Sequence, residues 1–203
     1  MAVGTTRLAP AGSVLYREGS TTEVVTLLLE GIVKMESVAR NGMSVLLGVR
    51  QAGDIIGEID RRPHPASAQT VTAARMLIVG GSAFRRFLEG NTHAALTLMQ
   101  VLSDRIRESD RRRIEYGSMS VRGRLARLLV ELSQRYGTSD FRGSVVIGLP
   151  LTQSEIASLI GASPVSTARA LQELREAGLV ETGRRSIRIL DLAALDWDAE
   201  RRT

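Results

Sequence analysis

The chain contains no cysteine. That absence excludes disulfides, thiolate zinc sites, Cys-held iron–sulfur clusters and cysteine nucleophiles. Aromatic residues make up only 3% of the sequence, too few to line a stacking platform for single-stranded nucleic acid. There are two histidines, His64 in the loop-like RRPHPAS and His93 near a helix start. Neither has a carboxylate or serine partner at motif spacing, so no catalytic residue and no metal ligand is assigned. Both are read as solvated side chains rather than haem ligands. No continuous apolar run reaches membrane-spanning length, and the first residues, MAVGTTRLAP, lack the apolar core of a secretion signal. A cytoplasmic protein without a membrane partner is expected. Lysine is nearly missing too: Lys34 is the only one.

What is present is a 203-residue chain, 43% hydrophobic, long enough for one large or two small domains with a real core. Its net charge is +5, which favours an anionic partner. The excess is localised: residues 121–190 hold ten Arg against six acids, whereas 191–203 hold two Arg against four acids.

That basic region surrounds the most informative stretch, LTQSEIASLIGASPVSTARALQELREAGLV, at 151–180. Thr152 and Glu155 have the spacing of a capping box, and Leu151 with Ile156 that of a hydrophobic staple. Ile156, Leu159 and Ile160 give one apolar stripe, and Gly161 ends the first helix. A second helix opens with Ser163 as cap and Pro164 at its first position and runs to Gly178. Its inward side is Thr167, Ala170, Leu171 and Leu174; the opposite side carries Val165, Ser166, Arg169 and Gln172. This face is short, and uncharged or basic, so a partner can approach it closely. The pattern predicts a helix-turn-helix whose second helix enters the DNA major groove; a plain helical hairpin in a globular core is the alternative. The alternation from Leu179 to Leu190 about Gly183-Arg184-Arg185-Ser186 predicts a hairpin with a basic tip, suited to lie on phosphates as a wing.

Upstream, from about 11 to 79, β-rich pieces are punctuated by Gly19, Gly31, Gly42 and Gly53, which predicts short antiparallel strands closed into a barrel or roll. Phe84, Phe87 and Leu88 predict a short helix against it. A long helix is expected over roughly 92–116, with Ala95, Met99, Leu102 and Ile106 as a narrow seam that pairs with its twin in a two-fold dimer; a helix packed only on its own roll is the alternative. Such a dimer places two reading helices about 34 Å apart, one turn of DNA. Gly117 to Ser120 reads as a hinge, with Ser120 capping a helix that buries Val121, Leu125, Leu128, Leu129 and Leu132; the loop YGTSDFRGS and the strand VVIGLP follow.

Taken together, the glycine-punctuated roll, the long helix, VRGRLARLLVELS, LTQSEIASLIGAS and the segment GDIIGE…TVTA at 53–73 resemble the cyclic-AMP receptor protein and FNR superfamily of bacterial transcription regulators. The resemblance covers nearly the whole chain. It implies an α+β protein in three parts: a cyclic-nucleotide-binding-like β-roll or jelly roll (1–91), a dimerisation helix and hinge (92–119), and a winged helix-turn-helix (120–203). It also implies a homodimer on a palindromic double-stranded promoter site, with RNA polymerase as a further partner.

The effector residues transfer incompletely. Gly57 and Glu58 match the family's Gly-Glu, which binds a cyclic phosphate through backbone amides and holds the ribose through the carboxylate; Ile59 follows them. The phosphate-pairing Arg and the next Ser/Thr fall on Ser67 and Ala68, and the adenine-contacting pair on Ser109 and Asp110. Serine cannot replace a charge-assisted, bidentate arginine. Arg61 and Arg62 are the nearby residues able to supply charge from another direction. No cofactor is therefore assigned and dependence on cyclic AMP is not expected: the protein acts without a ligand, or the roll serves another small effector. In the DNA-reading half, the family's Arg-Glu falls on Pro164 and Val165, and its later Arg is retained as Arg169. Arg169 is the expected base reader, with Val165 facing a thymine methyl and Gln153, Ser166, Arg184, Arg185 and Arg188 holding phosphates. A cyclic-nucleotide-responsive regulator with a rearranged phosphate site, or a protein that coats or bends DNA with little sequence preference, are the alternatives.

Overall fold

The computed structural model describes residues 4–40, 42–58, 62–141, 143–183 and 186–200. The chain divides into two compact units, Met1–Arg105 and Ile106–Thr203.

The first unit is a roll of antiparallel strands: β1 (Thr5–Ala9), β2 (Val14–Tyr16), β3 (Val24–Glu30), β4 (Ile32–Val38), β5 (Ser44–Gln51), β6 (Ile55–Gly57), β7 (Ser67–Thr70) and β8 (Ala74–Gly80). They form two four-stranded sheets, ordered β1-β8-β3-β6 and β2-β7-β4-β5. Side chains alternate across each strand, and one set from each sheet meets in the middle. Leu28, Val33, Ile56, Ala68 and Met76 form this core with Ala9 and Ala74. The turn glycines Gly19, Gly31, Gly42 and Gly53 all take positive φ. β1 was not read from the sequence. It precedes the strand-like span, and its burial pattern is exposed except for Ala9, so it owes its place to pairing with β8 from Thr5↔Ile78 to Ala9↔Ala74.

α1 (Gly81–Glu89) follows, with Phe84 and Leu88 half-buried and Phe87, expected inward, exposed instead. α2 (Thr92–Ser118) is a 27-residue helix with no buried residue. Met99 and Ile106 are 65% and 63% exposed, and Leu96, Leu102 and Ile114 are also open to solvent.

The second unit contains α3 (Val121–Tyr136), β9 (Gly137–Ser139), β10 (Val145–Ile147), α4 (Gln153–Leu159), α5 (Pro164–Glu176), β11 (Val180–Gly183), β12 (Ser186–Ile189) and α6 (Leu192–Glu200). Ser120 caps α3, its hydroxyl accepting the Gly123 N–H. α3 buries Leu125, Leu128, Leu129 and Leu132, while Val121 is only half-buried. The sheet order is β11-β12-β10-β9. Part of the stretch read as the loop YGTSDFRGS is therefore a strand, β9, supported by pairing with β10. α6 was also missed. It packs on α3 through the fully buried Leu195 and Ala199, and Asp198 accepts two hydrogen bonds from Arg122, at 2.9 and 2.7 Å.

Candidate nucleic-acid interface

α4 starts on a complete capping box: the Thr152 hydroxyl accepts the Glu155 N–H at 3.2 Å, and the Glu155 carboxylate accepts the Thr152 N–H at 2.7 Å. Both donors lie among the first N–H groups of the helix, which have no partner within it. α4 ends at Leu159 with Ile160 as its C-cap, and Gly161 at φ +60° turns the chain toward Ser163. Ser163 caps α5 by accepting the Ser166 N–H at 3.0 Å, and Pro164 occupies the first helical position.

α5 buries Thr167, Ala170, Leu171 and Leu174 against the rest of the unit. The opposite side is open. Val165 is 80% exposed, Ser166 and Gln172 are exposed, and the Arg169 side chain is 84% exposed. Without a partner, Arg169 donates to Glu173 at 3.2 Å and Gln172 donates to Glu176 at 2.8 Å. Such i,i+4 pairs on a solvated surface are worth only about 0.2–0.5 kcal/mol, so a partner displaces them at little cost. Gln153 is exposed at the start of α4.

β11 and β12 form the hairpin, with Gly183 opposite Ser186. Arg184 and Arg185, expected at its tip, lie outside the described residues. Arg188 is on β12 and is ion-paired with Asp140 and, at 3.7 Å, with Glu181. Its charge is thus engaged by two acids from other segments of the unit, whereas Arg169 has an i,i+4 partner on its own helix. Arg175, which the sequence did not single out, donates to Thr182 at 3.2 Å and joins α5 to the hairpin.

In the roll, Gly57 ends β6 at φ +100°, and a Cβ there would lie 2.3 Å from the Val24 carbonyl oxygen, so only glycine fits. Glu58 is half-buried beside it, Ile59 and Arg61 lie outside the described residues, and Arg62 is exposed. The Ser67 hydroxyl accepts the Glu18 N–H at 2.9 Å, and Ala68 is fully buried in the core. Ser109 and Asp110 are exposed on the second unit's part of α2, and Asp110 pairs with Arg113 at 3.6 Å.

Residues that the sequence reading did not place near Gly57 turn out to be there. His64, read as solvated, is 1% exposed, stacks on Tyr16 at 3.9 Å, and holds Nε2 2.5 Å from the Thr22 hydroxyl; its Nδ1 has no partner among the described residues. Burial pushes the Tyr16 phenol above its ordinary pKa; the Gly57 backbone opposes this, the Glu58 carboxylate adds to it, and Arg50 and Arg105 oppose it. Arg50 sits opposite Val33 in the β4–β5 ladder and so shares the inward face. Arg105 donates to Asp54 at 3.1 Å and to the Ile55 carbonyl at 2.9 Å. Tertiary packing brings these groups together from β2, β5, the segment before β7 and α2; no local motif marks them.

Two family models match the chain: a cyclic nucleotide-binding domain over residues 6–91 and a Crp-like helix-turn-helix domain over residues 123–196. The CRP-like cAMP-activated global transcriptional regulator of Mycobacterium tuberculosis is 30% identical over 185 residues, covering 90% of this chain and 82% of that protein. The chain belongs to the Crp/Fnr superfamily. Another superfamily relative, the anaerobic regulatory protein of Bacillus subtilis, is 24% identical over 182 residues, 88% of this chain and 76% of the other. The crystal structure of a Crp/Fnr-family transcriptional regulator from Thermus thermophilus superposes with a TM-score of 0.82 at 25% identity, covering 98% of this chain and all of that one. These relatives are transcription regulators and not enzymes. The protein is accordingly a Crp/Fnr-type transcription regulator with a helix-turn-helix DNA-binding domain. Among the described residues no cluster of His, Asp and Glu is arranged to hold a metal ion, and no helix is long and apolar enough to cross a membrane.

Proposed function

We propose that this Crp/Fnr regulator acts in the cytoplasm as a homodimer, paired through the Ala95–Met99–Leu102–Ile106 seam of α2. It binds a palindromic promoter site, meets RNA polymerase there, and does so without requiring cyclic AMP. The observation that carries sequence-specific reading is the α5 face: Val165, Ser166, Arg169 and Gln172 stand open on the side opposite its buried residues. Arg169 is long, exposed and held only by an i,i+4 pair, so it is available to bond a guanine edge bidentately. The dimer reading is supported by the exposure of Met99, Leu102 and Ile106 along one side of a helix that buries nothing of its own. Cyclic AMP independence is supported by the Ser67 hydroxyl, which is occupied by a backbone donor, and by Ala68, which faces the core: neither offers a cation to a phosphate.

A second reading has its own support. Arg50 faces the interior of the roll close to Tyr16, and a relative of 30% identity is described as cAMP-activated. Under this reading a cyclic nucleotide or another small anionic effector uses Arg50 in place of the missing arginine. One experiment separates the two. Bound duplexes are selected from a random pool with and without cyclic AMP. Equal enrichment of one palindrome in both arms supports independence, enrichment only with cyclic AMP supports the second reading with cyclic AMP as its effector, and no palindrome in either arm contradicts independence and leaves only an effector other than cyclic AMP.

A further inference from the structure

The last turns of α2 are fastened to the turn of the helix-turn-helix by two side chains that the DNA interface does not use. Tyr116 Oη donates to the Leu159 carbonyl at 3.0 Å. Arg124, in the first turn of α3, donates to the carbonyls of Ile160, at 2.7 Å, and Gly161, at 3.2 Å, and its guanidinium carbon lies 5.5 Å from the centre of the Tyr116 ring. These carbonyls lie at the C-terminal end of α4, where the helix has no further N–H groups to bond them. Tyr116 and Arg124 thus act as an external C-cap shared between α2 and α3. The contact is close: a Cβ on Gly161 would lie 3.1 Å from two atoms of the Tyr116 ring. Arg111, one turn earlier on α2, bonds Glu131 of α3 at 2.6 Å, while Glu108 takes Arg112 at 2.6 Å and reaches Arg135 at 4.0 Å. The C-terminal part of α2 is therefore joined to the rest of the second unit by side-chain clasps rather than by buried packing.

α5 starts three residues after Gly161, so whatever holds that turn also aims the reading helix. We infer that Tyr116 and Arg124 are positioning residues for DNA reading: they fix the orientation of α5 relative to the C-terminal part of α2 and thereby set the half-site spacing the dimer accepts. This rests on the proposal that α2 pairs two protomers across a palindrome. A ~10° tilt of each reading helix toward or away from the two-fold axis, over a lever arm of roughly 17 Å (half the separation of about 34 Å), moves α5 along the duplex by roughly 3 Å, close to one base-pair step. A loosened clasp blurs the spacing and leaves the base contacts of each half-site intact.

The test measures affinity by fluorescence anisotropy on four duplexes: the selected palindrome, the same site with one base pair added or removed at its centre, and a single half-site. The variants are Tyr116→Leu, Tyr116→Phe (which keeps the ring and loses the donor) and Arg124→Gln with Arg124→Lys as its conservative partner. For Tyr116→Leu and Arg124→Gln, affinity for the palindrome is expected to fall about tenfold. Binding to the respaced sites should change less than twofold, and binding to the half-site should be unchanged. Tyr116→Phe should fall between wild type and Tyr116→Leu, and Arg124→Lys should recover part of the spacing preference. Trp197 emission and circular dichroism show that each variant is folded, and the mild Tyr116→Phe change keeps the test valid if a larger one is not. Equal losses on half-site and palindrome overturn the inference in favour of a general structural role. An unaltered spacing preference in all variants overturns it while leaving the dimer intact. If the wild-type protein itself shows no preference among spacings, the underlying dimer reading fails first.

Discussion

Replacing Gly161 with alanine tests the turn by two effects that add and can be separated. At φ +60° an L-residue pays about 1–2 kcal/mol for the left-handed conformation. The new methyl also arrives 3.1 Å from the Tyr116 ring, closer than ordinary van der Waals contact, and overfilling a packed site costs about 1–3 kcal/mol. Gly161→Ala in the wild-type background should therefore destabilise the second unit by about 2–5 kcal/mol. With Tyr116 already changed to alanine the ring is gone and only the backbone cost of about 1–2 kcal/mol remains. The difference, about 1 kcal/mol or more, is the coupling between the two positions. Urea unfolding followed by fluorescence is a suitable assay, because Trp197 is the single tryptophan and lies on α6 of this unit. Destabilisation by Gly161→Ala that is the same in both backgrounds, within about 0.5 kcal/mol, would refute the contact and with it the argument that the ring requires a glycine.

Other substitutions bear on the remaining parts. Arg169→Ala should leave folding unchanged, since its side chain is 84% exposed, but weaken binding about 5- to 150-fold on the selected site and relax preference at one base pair per half-site; equal losses on every base variant in a mobility-shift series would contradict base reading. Met99→Glu combined with Ile106→Glu places two like charges in each copy of the exposed α2 seam, and sedimentation should show a monomer that still contains a folded roll; an unchanged dimer would move the interface elsewhere. Tyr16 has its pKa raised mainly by burial, so in the folded roll its phenol stays protonated where the unfolded chain's ionises. Its contribution to stability is intact below the ordinary tyrosine pKa and is lost as pH rises from there through the folded value. Alkaline unfolding of Tyr16→Phe, compared with wild type by tyrosinate absorbance and circular dichroism, should show a shallower loss over that window.

Features that depend on a few neighbouring residues were legible before any coordinates. Thr152 with Glu155, Ser163 with Pro164, and the glycines at 161 and 178 specify where two helices start and stop, because caps and left-handed residues act within one turn of chain. The division of α5 into a Thr167–Ala170–Leu171–Leu174 side and a Val165–Ser166–Arg169–Gln172 side follows from helical periodicity alone, and burial agrees with it residue by residue. Single glycines marked the turns of the roll for the same reason. The length of α2, and the fact that its apolar positions fall on one side, were equally local properties.

Tertiary structure decided what comes together from distant segments. β1 and β9 are strands through their partners and not through their own composition. His64, outside any strand, is buried with Tyr16 of β2, forty-eight positions earlier, stacked on it. Arg188 reads as a free basic residue until Asp140, across the sheet, neutralises it. The grip of Tyr116 and Arg124 on the carbonyls beyond α4 joins groups up to 43 positions apart. Capping and periodicity are short-range effects written into adjacent residues, whereas an ion pair, a stacked ring or a shared carbonyl depends on register and packing, which only the folded chain supplies.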